Sequence, residues 1–125
     1  MSNDIRRIAI NTGGGDAPGL NAVIQAAVCA ADARGWELVG IREGYDGLLF
    51  PNDYPDGGLM KLGPEDVEDI ARLGGTILGT TNRGNPFRLV ETAPDGSKRE
   101  VDRSLELIAS LHSHGIDALI AVGGD

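Results

Sequence analysis

The 125-residue chain has one cysteine, two histidines and few aromatics, which make up 4% of its residues. A single cysteine excludes a disulfide framework and a cysteine-based zinc site. Basic residues are also scarce: 11 Lys and Arg face 19 Asp and Glu, a net charge of −8. A general nucleic-acid binder needs a basic face that displaces counterions, so that class is set aside. No apolar run approaches the roughly 20 residues of a membrane span. The opening Met1-Ser2-Asn3-Asp4 lacks the charged and apolar regions of a signal peptide. A reduced, cytoplasmic setting with no membrane and no nucleic-acid partner is the expectation. With 41% hydrophobic and 24% charged residues, the chain has the composition of a folded globular domain.

Glycine, by contrast, is abundant. Nine of the 19 glycines cluster as Gly13-Gly14-Gly15, Gly57-Gly58, Gly74-Gly75 and Gly123-Gly124 with no fixed period, which excludes collagen and repeat arrays. Glycines gathered at the ends of apolar runs mark places where backbone must approach something closely.

Ile5 to Thr12 reads as a buried strand ending at the glycines. From Pro18, Leu20, Val23, Ile24, Ala27, Val28 and Ala31 recur at helical spacing up to Gly35. Trp36 to Ile41 is a second strand, completing a βαβ unit with an expected right-handed crossover. Glu43 to Asp56 reads as loop. A short helix is expected from Pro64, with Val67, Ile70, Ala71 and Leu73 as its apolar side, then a short strand Thr76-Ile77-Leu78. A hairpin is expected over Arg88 to Val101 about Pro94-Asp95-Gly96, then an amphipathic helix over Asp102 to His114 with Leu105, Leu107, Ile108 and Leu111. The last run, Ile116 to Val122, is nearly all apolar, the pattern of a strand in mid-sheet covered on both faces. The fold class is α/β: a three-layer sandwich on a mostly parallel sheet, forming one domain over 1–125. Because the chain stops on the loop after that strand, it is read as a piece of a longer α/β protein.

The richest candidate site is Thr12-Gly13-Gly14-Gly15-Asp16-Ala17-Pro18-Gly19. Between a strand and a helix, free backbone N–H groups and the helix dipole can both face a phosphate. Pro18 stands where a dinucleotide fingerprint needs its last glycine, and no Gly-Lys-Ser/Thr of a P-loop follows. Asp16 is equally well read as a helix cap or as an aid to the site. Cys29 among alanines reads as a small core residue, and His112 and His114 as helix-end residues meeting exposed carbonyls. Asp66, Glu68 and Asp69 read as a solvated face, and Asp53 and Asp56 as turn residues.

Ile8 to Asn21 (IAINTGGGDAPGLN), Gly74 to Phe87 (GGTILGTTNRGNPF) and Ile116 to Asp125 (IDALIAVGGD), in this order, resemble the N-terminal part of the 6-phosphofructokinase family. The likeness runs over essentially the whole chain. It implies transfer of a phosphoryl group to the 1-hydroxyl of fructose 6-phosphate, from ATP with Mg²⁺ or, in some branches, from pyrophosphate. It further implies a homo-oligomer, a dimer or tetramer, with the active site between two α/β domains. On this resemblance Gly14 lies against the donor phosphates, with Gly13 and Gly15 shaping the loop. Arg83, with Gly84 beside it, meets the nucleotide, where a planar guanidinium can hold phosphate oxygens bidentately. Gly123 and Gly124 form a second phosphate-facing loop, and Asp125 is the carboxylate associated with Mg²⁺. The family's catalytic base and most of its sugar-phosphate ligands would lie beyond Asp125, so the 125-residue chain alone is expected to have little or no kinase activity.

The likeness has departures. Gln25, Cys29 and Pro64 stand where regulated bacterial members carry effector-binding arginines, so the familiar effector response is not expected. Thr80 to Pro86 is longer and more polar than in those members, which bears on donor preference. The position after Asp125 separates ATP users (Gly) from pyrophosphate users (Asp). NAD kinases and diacylglycerol-type lipid kinases share a Gly-Gly-Asp loop but not Gly13 to Asn21. A non-catalytic nucleotide-binding piece is the remaining alternative.

Overall fold

The computed structural model describes residues 5–13, 19–80 and 86–123. Its centre is a four-stranded sheet of order β3-β2-β1-β6, where β1 is Arg7–Gly13, β2 Glu37–Ile41, β3 Leu59–Leu62 and β6 Ala118–Gly123. β1 runs parallel to both β2 and β6, and β3 is antiparallel to β2. The two parallel neighbours place the carboxyl ends of β1, β2 and β6 along one rim.

Alternation along β1 and β2 feeds two separate cores, as period-two side chains must. Ile8, Ile10 and Leu38 face α1 (Leu20–Ala33), meeting Ile24, Val28 and Ala31, with Val67, Ile70 and Leu78 completing that layer. Ala9, Val39 and Ile41 face the other way, toward Leu48 and Leu49 of α2 (Asp46–Leu49) and Leu107 of α3 (Ser104–Ser113). These are the expected layers, with the sheet between. The hairpin forms as β4 (Leu89–Thr92) and β5 (Lys98–Val101), antiparallel and separate from the main sheet. Asp95 closes its turn by accepting from the backbone N–H and the hydroxyl of Ser97.

Several expectations are corrected. α1 starts at Leu20, after Gly19 in the left-handed region. The helix expected from Pro64 is two 3₁₀ turns, Pro64–Asp66 and Ile70–Arg72, separated by bends. Pro64 fixes the first of them, and the Asp66 carboxylate accepts the Gly63 N–H at 2.7 Å, a tie that closes a tight turn. Thr76 to Leu78 is a turn, not a strand, because its polar groups bond to α1 and β1 side chains instead of to a ladder. The segment expected to be loop contains α2 and another 3₁₀ turn, and β3 follows it unannounced. Among the described residues β6 is an edge strand, not a middle one, and Ile120 and Ala121 are exposed. Leu105 projects from α3 at 80% exposure, so the helix's inward stripe is narrower than its apolar pattern. Cys29 is exposed rather than in the core: it follows buried Val28 and so points away from the sheet. His114 behaves as read, its ring nitrogen 2.9 Å from the Ser110 carbonyl at the end of α3.

A candidate phosphate-binding rim at the strand ends

The β1–β6 register pairs Ile8 with Ala118 and continues in step to Thr12 with Val122 and Gly13 with Gly123. Gly13 and Gly123, the first residues of their glycine clusters, therefore leave the sheet side by side, at the carboxyl ends of adjacent parallel strands. That is where open α/β sheets place ligands. Gly123 has φ of 147°, and a Cβ built on it would run into the carbonyl and amide of Gly13. Two backbones approach here so closely that only glycine fits at Gly123.

Of the residues singled out in the sequence, Gly13 and Gly123 are thus brought together. Gly14, Gly15, Asp16, Arg83, Gly84, Gly124 and Asp125 lie outside the described residues. The backbone that leads into and out of their loops is nonetheless defined. Gly13 and Gly19 bracket the first loop, Thr80 and Pro86 the second, and Gly123 enters the third. The far side of the second loop is pinned by the Pro86 carbonyl, which accepts the Arg103 N–H at 2.8 Å.

The near side is held by buried polar groups that sequence reading passed over. Thr12 is fully buried, and its Oγ1 donates to the Gly79 carbonyl at 3.0 Å while lying 2.9 Å from the Thr76 hydroxyl. Asn21, 1% exposed, accepts the Ile77 N–H at 2.8 Å and donates to the Leu73 and Gly74 carbonyls at 3.1 and 3.4 Å. Asn11 reaches the Gly44 carbonyl at 3.3 Å, and the Glu43 N–H donates to the Leu78 carbonyl at 2.8 Å. The one signal in the sequence was the placement of polar Asn11, Thr12 and Asn21 inside otherwise apolar runs.

Charge around this framework is spent on structure. Arg42 holds Asp56 at 2.7 Å, and that hydrogen bond, more than any other contact, keeps the Asp56 carboxyl below its ordinary range. The Arg6 and Arg7 N–H groups do the same for Asp117, at 2.8 and 3.0 Å, tying the start of β6 to β1. Gln25, at an expected effector position, donates to the Val67 and Glu68 carbonyls at 2.8 and 3.1 Å. A cleft at the other end of the sheet, lined by Asp32, Trp36, Glu37, Lys61 and Asp66, takes no part in the rim. Among the described residues no group of three His, Cys, Asp or Glu could hold a metal, and no helix is long and apolar enough to cross a membrane.

Comparison with known proteins agrees with this geometry. The family model described as phosphofructokinase matches residues 7–125. The ATP-dependent 6-phosphofructokinase 1 of Nostoc sp. is 48% identical over 120 residues, covering 96% of this chain and 31% of that protein. The pyrophosphate–fructose 6-phosphate 1-phosphotransferase of Amycolatopsis methanolica is 43% identical over 120 residues, covering 95% of this chain and 30% of that protein. The crystal structure of Pichia pastoris phosphofructokinase in the T-state superposes with a TM-score of 0.74 at 36% identity, over 97% of this chain and 11% of that one. The chain thus spans about a third of the length of these curated relatives. With Gly13 and Gly123 paired at the strand ends and the family's model matched from β1 to its last residue, the chain belongs to the phosphofructokinase family.

Proposed function

We propose that the chain is the N-terminal, donor-binding part of a cytoplasmic, glycolytic 6-phosphofructokinase. The whole enzyme would transfer the γ-phosphoryl group of ATP to the 1-hydroxyl of fructose 6-phosphate, giving fructose 1,6-bisphosphate. The observation that carries this reading is the Gly13–Gly123 pair, which sets the starts of two glycine-rich segments side by side in a phosphofructokinase family member.

Phosphoryl transfer asks a protein chiefly to position the donor and neutralise its charge. Backbone N–H groups of Gly13, Gly14 and Gly15, ahead of the positive end of α1, are suited to the donor's phosphates. Gly123 and Gly124 would offer a second set. Arg83, with Gly84 leaving space beside it, would clasp phosphate oxygens with its planar fork. Asp125 is the hard oxygen ligand that Mg²⁺ takes, so this residue fits the ion and would hold it with water and donor phosphates. When bound, Mg²⁺ supplies neutralising charge to the transferring phosphates. Binding of this kind is local, so a net charge of −8 does not oppose it. The acceptor's ligands and the catalytic base would lie outside these residues. Exposed Phe87, Val90, Leu105 and Ile108 favour further covering surface, in keeping with a larger polypeptide and a homo-oligomer.

Pyrophosphate as donor is the second reading, favoured by the 43% identity to the Amycolatopsis methanolica enzyme. An Arg83→Leu variant of the complete gene product tests the donor site. The KM for the phosphoryl donor should rise at least about tenfold, the loss expected for a charged phosphate contact, with the KM for fructose 6-phosphate within about twofold. Equal effects on both, or on neither, would overturn the assignment.

A further inference from the structure

Asn21 stands second in α1, just beyond the first glycine loop, and its amide is fully used. Oδ1 accepts the Ile77 N–H, while Nδ2 faces the carbonyls of Leu73 and Gly74. Only one orientation of the amide satisfies all of these, since a flip would set Oδ1 against two carbonyl oxygens. Thr12, the last residue before the glycines, has an equally determined partner set. Its single hydroxyl hydrogen goes to the Gly79 carbonyl, so the Thr76 hydroxyl must donate to Thr12 and in turn accept the Leu78 N–H at 3.2 Å. The turn at 76–79 is thereby clamped from β1 and α1, and Glu43, in the turn just after β2, adds the bond to the Leu78 carbonyl. The Leu78 side chain, 1% exposed, packs over Gly40, where an added Cβ would displace it.

These residues touch the two flanks of one loop and the entry to the other. We propose that Asn21 and the Thr12–Thr76 hydroxyl pair are positioning residues that fix the 76–79 turn, from which the chain enters the segment carrying Arg83, against the end of β1 and the start of α1. Their effect is expected on the phosphoryl donor, the ligand proposed for Gly14 and Arg83. The inference rests on the proposed phosphoryl-donor site and adds which side chains hold its two halves in register. Buried polar groups that are completely satisfied specify one arrangement, and losing one partner leaves the rest unpaired. A shift of about 1 Å between loops that grip one ligand costs about 100-fold in rate when the ligand must be aligned for transfer.

The test uses Thr76→Val, Thr76→Ser and Asn21→Asp in the complete gene product. Thr76 is half-buried, so valine keeps shape and fold while removing the hydroxyl. Asn21→Asp keeps the acceptor for Ile77 but sets a carboxylate oxygen against the Leu73 and Gly74 carbonyls. The donor KM is expected to rise about tenfold or more in Thr76→Val and Asn21→Asp, while the fructose 6-phosphate KM stays within about twofold. Thr76→Ser should restore the donor KM to within about twofold of the parent. Amide hydrogen exchange over residues 79–88 should be faster in Thr76→Val than in Thr76→Ser, a readout that needs no turnover. Unchanged donor KM and exchange, or a fall in folded enzyme with both KM values intact, would overturn the positioning role. Parent protein that transfers no phosphoryl group would refute the functional reading, and exchange would then decide the clamp by itself.

Discussion

The approach of β6 to β1 at their carboxyl ends makes Gly123→Ala the most informative substitution in the fold. The new Cβ would strike the Gly13 carbonyl and amide, which are backbone and cannot swing aside. At φ of 147° an alanine is also strained, by about 1–3 kcal/mol. Parting the strand ends to relieve the collision would forfeit a ladder hydrogen bond there, worth about 1 kcal/mol. The expected loss is about 2–4 kcal/mol of local stability, concentrated where the two loops emerge. Gly96→Ala is the matched control: its φ of 87° is also strained, but nothing lies within 4 Å of its Cβ, and it sits in the remote hairpin turn. Both variants should lower the melting temperature of the complete gene product, Gly123→Ala the more. Only Gly123→Ala should raise the donor KM or lower kcat, by about tenfold or more, because only it displaces the rim. Equal donor kinetics in Gly123→Ala, Gly96→Ala and parent would refute the claim that the Gly13–Gly123 contact shapes a donor site.

Further expectations follow from the same geometry. Asp117 has its carboxyl lowered by the Arg6 and Arg7 N–H groups, so its contribution is present above the ordinary carboxylate range and lost as pH falls through its depressed value. Acid titration followed by Trp36 fluorescence should therefore show stability declining as pH drops below the ordinary carboxylate range, and Asp117→Asn should flatten that part of the acid dependence; an unchanged acid limb would contradict it. Leu78→Ala removes a fully buried side chain beneath the 76–79 turn and should cost about 2–5 kcal/mol, read as a fall in melting temperature. ADP should leave the fructose 6-phosphate saturation curve unshifted, because Gln25 spends its amide on the Val67 and Glu68 carbonyls and Cys29 carries no positive charge. A clear ADP-dependent shift would refute that. Reading the residue after Asp125 bears on the donor: glycine favours ATP, and aspartate favours pyrophosphate, since an added carboxylate would repel the nucleotide's α-phosphate.

Much of the fold was legible because it is written in periodicity. The runs at Ile8 to Ile10 and at Leu20 to Ala31 repeat at two and at three-to-four residues, and both form the expected strand and helix. The Asp95-Gly96 turn likewise yielded the hairpin. What failed was set by tertiary partners. Thr76-Ile77-Leu78 has strand composition, yet its N–H groups find Asn21 and Thr76 oxygens instead of a neighbouring strand. Leu59 to Leu62 is a short strand bounded by glycines, and only its pairing with β2 stabilises it. β6 reads as a doubly covered strand, but among the described residues it has a neighbour on one edge only. At the site, the glycine clusters were visible in sequence, whereas the Thr12–Thr76 and Asn21 ties join residues more than fifty positions apart and leave no local pattern.

The chemistry predicted for this rim is phosphoryl transfer to a sugar phosphate. The most direct measurement supplies the complete gene product with fructose 6-phosphate and, in turn, ATP with Mg²⁺ or pyrophosphate with Mg²⁺, and follows fructose 1,6-bisphosphate. Bisphosphate formed with ATP is the predicted result. Its absence with both donors, from protein that is folded and pure, would contradict a phosphoryl-transfer role for the rim.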